Sequence, residues 1–201
     1  MKKYLFAVFI SFIFLYCRVY SQELIKIDEV DLSAMHASGK FKFESTEIFT
    51  SKKVLLGNYS SYHLGAIVAE ILNKHNITDK NNVIIIIDDS SGKTTTADIF
   101  SFDMESAVIP AFIAFEKVKA RKMDTIAIAD QEGKFLVPDY KGIDEALKAG
   151  ATKRIYTPIL KISKDEIARL FKGFTIVFPE DKTTKRWVTN AIRIRLYYLK
   201  Q

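Results

Sequence analysis

Alternation of apolar and polar residues is clearest near the C-terminus, from Gly173 to Tyr198. Phe174, Ile176 and Phe178 alternate with Thr175 and Val177 until Pro179 stops the run. After a charged loop, Ile192, Ile194 and Leu196 alternate with Arg193, Arg195 and Tyr197. Two period-2 runs around a polar loop predict a closing hairpin with one face buried and the other carrying cations into water. Between Ser61 and His75 the period changes. Leu64, Ile67, Val68, Ile71 and Leu72 form one helical stripe, with Ser60 or Ser61 as cap and Lys74 and His75 at the negative end.

Val83 to Ile87 is a continuous β-branched run, which predicts a strand buried on both faces. Asp88 to Lys93 turns the chain and Thr94 to Phe100 returns it. Thr125 to Val137 has the same grammar, and both turns read Asp-x-x-Gly-Lys, in which Gly accepts the left-handed conformation.

The remaining segments are less regular. Gln22 to Lys53 suggests a short strand, a brief helix from Asp31 closed by Gly39, and an alternating strand over Lys40 to Glu44. Val54 to Leu56 is an apolar patch that Gly57-Asn58 ends as a turn. Asp103 to Arg121 is ambiguous, with Phe112, Phe115 and Val118 favouring a helix. Ile143 to Ala149 predicts a short helix, Ile155 to Ile162 an extended segment, and Ser163 to Glu166 a capping box opening a helix that Gly173 closes. Many short strands with a few helices predict a mainly β, α+β domain.

The N-terminus changes the compartment. Met1-Lys2-Lys3 precedes thirteen uncharged, mostly apolar residues, then Cys17 and Arg18. This predicts a signal peptide over 1–21, cleaved after Ser21, and a single exported domain over 22–201, periplasmic or secreted. Membrane attachment enters only through an uncleaved or lipidated N-terminus, and Tyr16 is a poor fit for lipidation at Cys17. Cleavage removes the one cysteine, so the mature chain has no thiolate nucleophile or Cys-ligated metal. It also leaves 27 basic against 24 acidic side chains, an excess too mild to argue for nucleic acid.

The apolar strand, Pro179, charged loop, Arg186-Trp187-Val188 and closing strand resemble the last hairpin of the oxidoreductase molybdopterin-binding domain, the sulfite-oxidase-like fold. Tyr62-His63-Leu64-Gly65 to Leu72, Val83 to Ser101 and Met123 to Pro138 are similar, in order, to its earlier segments. The resemblance implies a molybdenum site in which a cysteine thiolate ligates the metal and basic residues hold the pterin phosphate. That cysteine belongs around Phe43 to Asn58, where this chain has none. Arg186, with Lys185 beside it, is the position at which the family's anion-binding cation survives.

Other patterns have simpler readings. Gly92-Lys93-Thr94 lacks the earlier glycine of a phosphate loop, because Ile87 stands there. His36, His63 and His75 have no metal-ligand spacing and read as surface or capping histidines, His63 being the best pocket wall. Asp88, Asp89, Asp98 and Asp103 read as turn and cap residues rather than a glycosidase pair, and Arg193 and Arg195 as a solvated face. Asn58 and Asn76 head glycosylation sequons, which matter only in a eukaryotic secretory path.

The expectation is therefore an exported, non-catalytic binding domain of molybdopterin-binding-like fold. Tyr62, His63, Lys185 and Arg186 would hold an anionic or aromatic small molecule, or a protein partner. No cofactor is expected on this reading. The alternative is a molybdopterin-dependent oxidoreductase that keeps the pterin, and a third reading is a secreted structural or partner-binding module.

Overall fold

The computed structural model describes residues 23–102, 107, 109–118, 125–127, 145 and 150–200. It is a mixed α+β architecture, mainly β, built from two sheets and short helices. The predicted segment 128–137 and the helix over 143–149 lie outside the described residues, apart from position 145.

Sheet A has four strands in the order β1-β10-β4-β5, with β1 Glu23–Asp31, β4 Val83–Asp89, β5 Thr94–Asp98 and β10 Ala191–Lys200. All its pairings are antiparallel. Sheet B has six strands in the order β7-β8-β2-β3-β6-β9. These are β2 Phe43–Thr50, β3 Leu55–His63, β6 Phe112–Lys117, β7 Thr125–Ala127, β8 Thr152–Thr157 and β9 Thr175–Val177. β8 runs parallel to β2 and β7. Helices α1 (Leu32–Ser38), α2 (Leu64–Lys74) and α3 (Lys164–Leu170) complete the regular structure.

One core joins the two sheets. It takes Val83, Ile85 and Ile87 from β4, Ile194 and Leu196 from β10, and Ile48, Tyr59 and Ile155 from sheet B. All five stripe residues of α2 are buried in it. Burying these side chains contributes on the order of 1.5–3 kcal/mol each before entropy is subtracted.

Local chemistry accounts for the ends. Asp31 caps α1 by accepting from Ala34 N at 2.8 Å, and Gly39 closes it at φ 63. Ser163 caps α3 through Glu166 N at 3.1 Å, but the Glu166 carboxylate accepts from Thr184 Oγ1 instead of reaching back. In the β4–β5 turn, Asp89 Oδ1 accepts from Ser91 N at 2.8 Å and Lys93 N at 3.0 Å, with Gly92 at φ 83. That hairpin is as predicted.

The closing hairpin is not formed. β9 pairs with β6 in sheet B, whereas β10 lies in sheet A between β1 and β4. Both edges of β10 are occupied by longer partners, so no edge remains for β9. What holds 174–191 together is a single bridge, Ile176 to Val188, with Ala191 N donating to Phe174 O at 2.8 Å and Trp187 Nε1 to Phe178 O at 3.0 Å.

Four further expectations are corrected. Phe112 to Lys117 is a strand whose edges pair with β3 and β9, and Phe112, Ile113 and Ala114 are all buried, so both of its faces are packed at that end. Gly57-Asn58 lies within β3; a Cβ at Gly57 would collide with the Tyr59 ring, so glycine makes room for that side chain. Ser60 and Ser61 belong to β3 as well, and α2 starts after His63 without a side-chain cap. In β4, Val83, Ile85 and Ile87 are buried while Ile84 and Ile86 are only half covered, so one face alone is sealed.

Candidate functional site

Alternation along β3 points Tyr62 and His63 to opposite faces of sheet B. Tyr62 is buried, stacks on Phe115 with ring centres 4.8 Å apart, and its hydroxyl lies 2.7 Å from His36 Nδ1. Burial raises its phenol pKa. His36 is exposed, as expected, yet its ring edges onto Phe115 and Phe174 in an aromatic cluster that also holds Phe43 and Tyr62. His63 is the residue at the N-terminus of α2, and a side chain at Gly65 would strike Phe102 O.

Arg186 lines a shallow cleft with Ser101, Ile109, Phe178, Pro179 and Glu180. Its guanidinium already grips Asp181, at 2.9 Å from Nε to Oδ2 and 2.6 Å from Nη2 to Oδ1, and lies 4.6 Å from the Phe178 ring centre. The Asp181 bond raises the Arg186 pKa. Glu180 Oε1 accepts from Ile109 N at 2.7 Å. These bonds pin the loop after β9 to the segment before β6. The cleft encloses about 190 Å³, below the roughly 300 Å³ of the smallest ordinary ligand pockets. Lys185 is exposed. The four predicted residues thus do not converge on one cavity, and the paired Arg186 does not fit a pterin phosphate. The chain's one cysteine, Cys17, lies outside the described residues.

Arg193 and Arg195 are likewise not a solvated row. Arg193 Nε donates to Asp88 Oδ2 at 2.9 Å and Arg195 Nη2 to Asp88 Oδ1 at 2.6 Å. Burial pushes the Asp88 pKa up, but the two guanidiniums outweigh it and hold it below the ordinary aspartate value. His75, with Lys74, bonds Asp28 of β1 and lowers its pKa, fastening α2 to sheet A.

Little along the chain announces the polar centre of sheet B. Ser45 pairs with Ser60 and Glu47 with Asn58 across β2 and β3, and Glu47 with Arg154 across β2 and β8. Thr152, two residues before Arg154, shares their face. Arg154 Nε and Nη2 both donate to Glu47 Oε2, at 3.0 and 2.9 Å. Burial opposes the guanidinium charge, yet Glu47 and Tyr156 raise its pKa above arginine's ordinary value. The Arg154 guanidinium also lies 5.0 Å from the Phe49 ring centre, and Phe49 stacks on Tyr156.

Beside this neutralised pair, Ser45 Oγ donates to Asn58 Oδ1 at 3.1 Å, which orients the amide. Asn58 Nδ2 and Thr152 Oγ1 are buried and have no hydrogen-bond partner among the described residues. A buried polar atom left unmade costs about 1–3 kcal/mol, so two on one face call for an explanation. On the opposite face, Lys153 Nζ pairs with Glu44 Oε1 at 3.0 Å and Thr46 Oγ1 with Ser61 Oγ at 2.7 Å. The readable signal was the pattern Glu44-Ser45-Thr46-Glu47 between Phe43 and Ile48-Phe49: polar residues in a strand-like setting with no turn former. Among the described residues no group of three or more His, Cys, Asp or Glu side chains could hold a metal.

Comparison of the chain with family models, curated proteins and solved structures finds no match.

Proposed function

We propose that the protein is an exported, non-catalytic binding domain. Its ligand is a small, neutral, polar molecule held against Ser45, Glu47, Asn58, Thr152 and Arg154. The observation that carries this reading is the pair of orphaned polar atoms, Asn58 Nδ2 and Thr152 Oγ1, beside an ion pair that has no net charge. A ligand carbonyl would accept from Asn58 Nδ2, and a ligand hydroxyl or amide would complete Thr152 Oγ1. The chemistry differs from the anionic or aromatic ligand read from Tyr62, His63, Lys185 and Arg186, because Arg186 already holds a carboxylate.

Thermal-shift screening of neutral sugars, amides and amino-acid derivatives tests it. A ligand that raises the wild-type Tm by about 2–4 °C and leaves Asn58→Ala unmoved supports the site. Hits that shift both proteins equally, or none at all, sink it.

The finer assignment to the molybdopterin-binding-like fold remains a proposal resting on the order of segments from Val54 to Ser101, since the ribbon that suggested it is not formed. The pterin-dependent oxidoreductase is its alternative function. Stoichiometric molybdenum after expression in a cofactor-competent host would establish that alternative and overturn the non-catalytic reading.

A further inference from the structure

At one end of sheet B two loops are bonded together. Thr50 N donates to Val54 O at 2.9 Å, Lys53 N to Thr50 O at 2.9 Å and Val54 N to Thr50 Oγ1 at 3.2 Å, closing a tight turn between β2 and β3. Lys53 takes φ 61, a conformation a lysine adopts only at some cost, and the turn holds it there. Ser51 then joins this turn to the segment after β8: its N and Oγ both donate to Ile159 O, at 3.0 and 3.2 Å. The result is a rigid tip on which Val54, Leu55 and Leu160 are 49, 45 and 65% exposed. Lys52 and Lys53 precede the first two and Lys161 follows the third, all exposed and without an ion-pair partner among the described residues.

Singly exposed apolar side chains are ordinary, but three on two cross-bonded loops, interleaved with three unpaired lysines, combine two properties. The apolar groups gain by leaving water, and the ammonium groups gain beside negative charge. A headgroup layer with acyl chains beneath it satisfies both at once. A protein partner or a second copy has to supply matching acidic groups around an apolar pocket, and the described surface of this chain shows no such complement on the tip itself. Among the described residues no helix is long and apolar enough to cross a membrane.

We propose that the tip formed by Lys52 to Leu55 and Leu160-Lys161 docks on an anionic lipid bilayer, independently of any attachment through the N-terminus. The apolar side chains enter the headgroup boundary and the lysines meet lipid phosphates.

Vesicle cosedimentation of the full chain is the test, since the N-terminal apolar run is then common to every variant. Wild type should partition onto phosphatidylglycerol–phosphatidylcholine vesicles more strongly than onto phosphatidylcholine alone, and less as salt rises. The triple variant Val54→Ser, Leu55→Ser, Leu160→Ser should weaken partitioning about tenfold. Lys52→Glu, Lys53→Glu, Lys161→Glu should abolish the preference for anionic lipid. Single Leu160→Ser, about threefold weaker, covers the case in which a triple variant fails to fold. An environment-sensitive dye on Leu160→Cys should shift blue with vesicles, while the same dye on Thr96→Cys in sheet A should not, both in a Cys17→Ser background. Unchanged partitioning in all the variants overturns the proposal, as does a concentration-dependent dimer of the wild type that the apolar triple variant abolishes while its vesicle binding stays intact.

Discussion

One face of each sheet carries similar residues to different ends. On sheet A, Asp88 sits between Arg193 and Arg195, and both of its oxygens are taken by guanidiniums. Directly beneath, Ile85, Ile87, Ile194 and Leu196 make a fully apolar inner face. On sheet B, Glu47 and Arg154 pair just as well, yet Asn58 Nδ2 and Thr152 Oγ1 beside them stay unmatched. Sheet A therefore uses its charges as a structural clasp, in which both Asp88 oxygens are matched and Arg195 Nε alone is left over. Sheet B keeps two unused hydrogen-bonding atoms beside its ion pair, in a place where such capacity costs stability, and the proposed ligand face rests on them.

Substitutions can break that contrast or sharpen it. The largest effect is expected from Ile194→Ala, which should cost about 3–4 kcal/mol by leaving a cavity under sheet A, read from urea unfolding. Asp88→Asn should cost about 2 kcal/mol, since two partly covered guanidiniums lose their counter-charge. Its pH dependence has a fixed sign. The folded-state pKa of Asp88 is depressed, so its contribution is present above the ordinary aspartate range and lost as pH falls through the folded value. The gap between wild type and Asp88→Asn in urea midpoint should accordingly narrow on going from neutral to strongly acidic pH; a constant gap would remove the electrostatic account.

Smaller effects separate matched from unmatched hydroxyls in sheet B. Thr46→Val breaks the bond to Ser61 and should cost about 1 kcal/mol. Thr152→Val removes an atom that bonds nothing among the described residues, so the same chemistry should be neutral or stabilising by about 0.5 kcal/mol. Equal losses at both positions would mean that Thr152 Oγ1 has a partner, and the case for a ligand at that face would weaken with it.

The same contrast explains what could be read from the chain. Sheet A was legible where residue type and turn chemistry agreed: the β-branched run Val83 to Ile87, the Asp89–Gly92 turn, and the alternation of Ile192 to Leu196 as a strand. The stripe of α2 was legible for the same reason. Pairing was not, because local alternation names a strand but not its neighbour, and β10 finds its partners more than a hundred residues away in β4 and at the start of the described chain in β1. The interior of sheet B was hidden by its composition. Asn58, Ser60 and Ser61 look like turn and cap residues until the register places them in the middle of a covered strand. Tyr62 and His63 looked like neighbours in one pocket because adjacency in sequence suggests closeness, whereas strand geometry separates their side chains.

The central position of β10 bears on how the molecule is made. β1 and β4 both emerge long before residues 191–200, and neither has its inner neighbour in sheet A until they do. A nascent chain halted ahead of Ala191 would leave one backbone edge of β1 and one of β4 without the strand that bridges them. Closure of that sheet therefore waits until residues 191–200 have emerged, and until then the placement of β10 keeps β1 and β4 apart.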